Sequence, residues 1–167
     1  MHSEYFLTFA EIAVALAGFA GLIVAISQRQ ARPEDGGQVD LEFLINVLGA
    51  SFLAAGFALL PVTLFNMGIE VEMSLRVSAG AYAVGVPMYQ LLTVPRALAS
   101  FRAASRKVPI SYRINIVLAS SFSLASGFCS AGVVSTSVYY PSLVLLLFGA
   151  ASSFVRVFVS VARGSTA

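Results

Sequence analysis

Histidine and cysteine each occur once in 167 residues, as His2 and Cys129. One histidine cannot supply a metal-binding cluster or the base of a catalytic triad, and one thiol cannot build an intrachain disulfide framework. Charge is scarce as well. Asp, Glu, Lys and Arg make up 11% of the chain, whereas soluble domains carry about a quarter. So few charges cannot cover a water-facing surface. There is no GxSxG elbow, no Walker phosphate loop and no internal repeat of the kind that builds many transporters. GFCSAG (127–132) is the nearest approach to a nucleophile motif. With no histidine in the apolar blocks to activate Cys129 or Ser130, it reads as small residues for helix packing. On this inventory the chain is expected to be non-enzymatic and to hold no cofactor or metal.

What the chain has instead is apolar mass. Hydrophobic residues make up 58% of it, and the mean hydropathy is +0.87. This mass comes in blocks of ~20 residues, the length that crosses a bilayer as a helix. Strands of a β-barrel would alternate polar and apolar residues, and these blocks do not. The sequence therefore predicts an all-α integral membrane protein, a compact bundle of five transmembrane helices forming one domain over 1–167. The expected spans are 5–27, 43–67, 77–98, 114–134 and 141–162. No stretch between them is long enough to fold by itself.

Basic residues orient the bundle. With five spans, one side receives Arg29, Arg32, Arg102, Arg106, Lys107, Arg113 and Arg163, with Arg96 and Arg156 near the same helix ends. The other side holds Arg76, beside Glu70 and Glu72. The bias predicts an outside N-terminus and a cytoplasmic C-terminus. A four-span reading puts Arg163 outside and breaks the pattern. The start MHSE lacks the basic residues of a signal peptide. In the loop SFRAASRKVPISYR (100–113), Arg102, Arg106, Lys107 and Arg113 are expected to meet anionic lipid headgroups rather than nucleic acid. PEDGG (33–37) signals a turn, and Asp40 is the expected N-cap of the second helix. Tyr5, Tyr139, Tyr140 and Tyr112 are expected to form interfacial belts.

Two polar layers are expected inside the bundle. Glu11 interrupts the run FAEIAVALAGFAGLIVAI (9–26). At 100° per residue it shares a face with Ala15, Gly18, Leu22 and Ala25, opposite Phe9, Leu16, Ala20 and Val24. The smaller face is expected to pack on protein and the bulkier one on lipid. Glu11 lies ~9 Å inside its helix, where a carboxylate must be hydrogen-bonded or neutralised. Its expected partners are Tyr82, Ser126 and Ser130, which would make an outer layer that is either a structural seam or a proton site. Arg156, ~22 Å along its own helix, is too deep to pair with Glu11. It is expected to snorkel to the cytoplasmic headgroups, or to cap an inner layer with Gln90, Asn46 and Asn115. Pro61, Pro87 and Pro95 each free a backbone carbonyl inside a span.

Small residues at close spacing, as in AGFAG (17–21), SAGAYAVG (78–85) and GAASS (149–153), offer faces for packing within the bundle or against a partner or second copy. The opening of the chain, an acid ahead of ALAGFAG (15–21), resembles the first spans of small uncharacterised bacterial polytopic membrane proteins. That resemblance covers the first span only and implies no activity. It fits residence in a bacterial inner membrane. Two functions compete: a subunit, anchor or effector of a larger membrane system, and a small homo-oligomeric ion or proton channel that uses Glu11.

Overall fold

The computed structural model describes residues 3–30, 37–103, 108 and 110–164, with side chains for 4–22, 46–99, 101–102, 108, 110 and 112–155. The described residues form α1 (Ser3–Gln30), α2 (Gly37–Asn66), α3 (Val71–Ala103), α4 (Ile110–Ser130) and α5 (Tyr139–Gly164), with a 3-10 turn, Thr136–Val138, leading into α5. At the basic end the helices outrun the expected spans, because helical pairing continues past the point where apolar composition stops. Asp40 is accordingly not an N-cap; it lies inside the first turn of α2, which opens at Gly37. Residues 33–36 of the PEDGG turn, and Arg106 and Lys107, lie outside the described residues, as does the side chain of Arg156.

At the opposite end two glycines set the boundaries. Gly68 and Gly132 have φ of +88° and +77°. After Gly68, the Ile69 amide donates back to the Leu64 carbonyl (3.1 Å) and Gly68 N–H to Phe65 (2.9 Å). After Gly132, Val133 N–H donates to Phe128 (2.9 Å) and Gly132 N–H to Cys129 (3.0 Å). Both are Schellman closures, which satisfy the last helical carbonyls through a left-handed residue that glycine adopts without strain. This ends α4 at Ser130 rather than at the expected residue 134, although Val133 and Val134 continue the apolar run. The Arg76 guanidinium lies over Gly132, 3.0 Å from where a Cβ would stand, and bonds Glu72 at 2.6 Å. It thus faces the negative pole of α4.

α2 is the hub, packing on α1, α3 and α5; α4 packs on α3 and, less extensively, on α5. Both α1 and α2 bring alanine to the interior: Ala10, Ala13, Ala17 and Ala20 of α1 and Ala54, Ala55 and Ala58 of α2 are all buried. Larger side chains fill the centre, with Phe6, Phe57, Tyr82, Val86, Tyr139 and Leu143 in one cluster. Three other glycines serve close packing. A Cβ at Gly49, Gly85 or Gly149 would stand 2.7 Å from Tyr89, Phe57 or Asn115 respectively.

Among the described residues four helices, α1, α2, α3 and α5, are long and apolar enough to cross a membrane. α4 falls short because Arg113, Asn115 and six serines dilute its 21 residues. On α3, Arg76 and Arg96 bracket an uncharged stretch whose helical length is about 30 Å, the thickness of the hydrocarbon core. The chain is a polytopic all-α integral membrane protein.

Gly68→Ala and Gly132→Ala are each expected to lower stability by about 1–2 kcal/mol, the cost of a left-handed L-residue. Reversible unfolding in detergent measures this, with the larger loss at Gly132, where the added methyl also meets Arg76.

Candidate functional site

The half of the bundle nearer Gly68 and Gly132 is organised by hydroxyl groups. Pro61 has no amide hydrogen, so the Phe57 carbonyl four residues earlier loses its helical donor. The Tyr139 hydroxyl donates to that carbonyl at 2.5 Å, across 82 residues of chain. Tyr139 is therefore fully buried, not a member of an interfacial belt. Its ring lies 6.1 Å from Phe6 and 6.3 Å, edge-on, from Tyr82. Tyr82 in turn donates to the Ser142 carbonyl at 2.9 Å. Ser142 gives its proton to the Val138 carbonyl (2.9 Å), so in the 3.0 Å contact between Ser142 and Ser126 hydroxyls, Ser126 is the donor. Tyr82 and Ser126 thus meet on α5, both against Ser142. Ser130 lies apart, its hydroxyl 3.1 Å from the place of a Cβ on Gly80.

Glu11 does not join this group. The structure inverts the expected faces of α1: Glu11, Ala15, Gly18 and Leu22 are exposed, Ala20 is buried, and Phe9 and Leu16 pack against the core. The reason is that α1 carries two stripes of small residues, and the alanine stripe brings no polar atom that burial must satisfy. It also places Phe6 against Tyr139 and Tyr140, the latter stacked at 5.0 Å. Glu11 makes no hydrogen bond or ion pair among the described residues. A Cβ added at Gly18 or Gly21 would meet nothing within 4 Å. Glu11 lies seven residues, about 10 Å by helical rise, inside the apolar span Glu4–Leu22, near its middle.

At the other end Asn46, Gln90 and Asn115 line one cavity of about 80 Å³ between α2, α3, α4 and α5. Tyr89 and Thr93 line it too, residues that gave no signal in the sequence beyond lying near Gln90. Tyr89 donates to the Asn46 carbonyl at 3.0 Å and lies 3.4 Å from its side-chain oxygen. Gln90 bridges to α4: its NH2 group donates to the Ile116 carbonyl (3.4 Å), and its oxygen lies 3.1 Å from the Ser120 hydroxyl. Beyond the cavity, Arg102 and Arg113 are exposed at the α3–α4 corner, where Phe101 and Tyr112 are in ring contact at 6.0 Å.

Among the described residues no group of His, Cys, Asp and Glu side chains is placed to hold a metal ion. No protein family, curated protein or solved structure matches the chain.

Tyr139→Phe is expected to destabilise the bundle by about 1–2 kcal/mol, by stranding the Phe57 carbonyl. The loss should shrink in a Pro61→Ala background, where residue 61 supplies its own amide; a double-mutant cycle of unfolding free energies measures the coupling. The buried hydroxyls of Ser51 and Ser123 have no partner among the described residues. Ser51→Ala and Ser123→Ala should therefore leave the unfolding midpoint unchanged or raise it, whereas Ser126→Ala should lower it.

Proposed function

We propose that the chain is a non-enzymatic subunit of a larger membrane assembly, joined to its partner through the uncovered face of α1. One observation carries this reading: Glu11 lies on an exposed face, well inside its span, with no partner among the described residues. An acidic side chain facing lipid at the centre of a span costs about 3 kcal/mol on insertion scales. A hydrogen-bond donor on a partner helix offsets much of that cost. Ala15, Gly18 and Gly21 beside and below it allow such a helix close backbone approach.

In this reading α4 is the fifth span. Its polar residues are tolerable there because Ser120 and Ser121 donate to the carbonyls one turn back, each at 2.9 Å, and Gln90 of α3 bonds to its inner half. Five spans put the N-terminus outside and the basic residues in the cytoplasm. The corner bearing Arg102 and Arg113 then meets anionic headgroups, and the composition suits a bacterial inner membrane. A ring of identical chains with Glu11 facing a shared axis is the second reading, favoured by the same uncovered carboxylate.

Extraction into native lipid nanodiscs is expected to yield the chain with a second protein at fixed ratio. Glu11→Leu should lower that recovery at least tenfold, the effect of about 1.4 kcal/mol, without shifting the chain's own unfolding. A lone wild-type monomer refutes the proposal. A closed ring of this chain alone transfers it to the pore reading, for which flux abolished by Glu11→Gln is the measurement.

A further inference from the structure

We propose that the cavity between α2, α3, α4 and α5 is a binding site for a small uncharged hydroxyl compound, water or a short polyol. Tyr89 commits its hydroxyl proton to the Asn46 carbonyl, Thr93 to the Tyr89 carbonyl (2.9 Å) and Ser153 to the Gly149 carbonyl (2.9 Å). Each of these hydroxyl oxygens keeps a lone pair to offer as acceptor. Donors come from the two asparagines. The Asn46 side-chain oxygen lies near Tyr89, while its NH2 group has no acceptor among the described residues. The Asn115 carboxamide has no hydrogen-bond partner among them at all, although it lines the cavity.

Asn115 also lies close against α5. A Cβ at Gly149 would stand 2.7 Å from its nitrogen and 3.1 Å from its oxygen, so the carboxamide packs flat on the backbone of α5. The wall therefore presents amide donors alongside hydroxyl acceptors, and none of its described side chains is charged. An ion would find no countercharge, and an apolar group would leave the carboxamides unsatisfied where lipid offers no substitute. A hydroxyl group both donates and accepts, which is what this wall requires. The volume of about 80 Å³ is several times the 10–15 Å³ that one water needs. It admits a small water cluster or one polyol of about six non-hydrogen atoms. The site is independent of the α1 face, and neither depends on the other.

The test is solid-state NMR of the full chain in lipid bilayers, with the asparagine side chains labelled with nitrogen-15. Magnetisation is transferred to the NH2 groups of Asn46 and Asn115 from water, and separately from the carbon-bound protons of added glycerol. Transfer from either source to both groups is expected. Glycerol transfer identifies a polyol site, and water transfer alone identifies water as the hydroxyl ligand. Ala119→Leu, which fills the cavity, should reduce the transfer at least fivefold at both asparagines. Ala50→Val is the second filling variant and should do the same should Ala119→Leu fail to fold. No transfer from either source overturns the proposal, and so does transfer that a folded filling variant leaves unchanged.

Discussion

Pro61 removes the one amide hydrogen that the Phe57 carbonyl would accept, and in a hydrocarbon medium no water takes its place. The Tyr139 hydroxyl does so, and much of the bundle depends on that bond. For Tyr139 to reach α2, α5 must begin at that residue, which the 3-10 turn after Ser135 arranges. Once buried, its ring becomes the surface on which Phe6 of α1 and Tyr82 of α3 pack. Tyr82 then bonds the backbone of α5 at Ser142, where Ser126 of α4 also donates. A backbone defect in one helix thus gathers the other four around it.

The same medium divides the small residues into two kinds. Gly49, Gly85 and Gly149 exist for contacts inside the chain, since a methyl group at any of them would collide with a tyrosine, phenylalanine or asparagine side chain. Gly18 and Gly21 have open space where a side chain would be. The internal glycines explain the tight packing of a bundle that gains nothing from ordinary hydrophobic exclusion between its helices. The external ones lie on the helix that also exposes Glu11. An uncovered carboxylate and uncovered glycines on one helix make the case for a partner stronger than either feature would alone.

Legibility in the sequence varied with the range of the interaction concerned. The inner polar residues were readable as a group because Asn46, Gln90 and Asn115 lie near the basic ends of antiparallel neighbours, and depth along a helix follows from residue number. That Tyr82 and Ser126 share a level was readable for the same reason, though their common partner Ser142 was not. Glu11 was not, because depth and face are different quantities. Its helix carries small residues on two faces, and the choice between them rests on Phe6 fitting beside Tyr139, a residue 133 positions away. Tyr139 itself looked interfacial. The signal that would have placed it inside was Pro61, whose freed carbonyl needed a donor from elsewhere.

By itself the sequence determined that the chain is helical, that it lives in a bilayer, and that its basic residues gather at one end. These follow from composition, block length and charge position, each of which a linear chain carries in full. Only the tertiary structure decided which face of α1 is covered, where α4 stops, and that Tyr89 and Thr93 share a cavity with Asn46, Gln90 and Asn115. These depend on shape fit between helices distant in sequence, on a left-handed glycine that hydropathy does not register, and on where each hydroxyl proton goes.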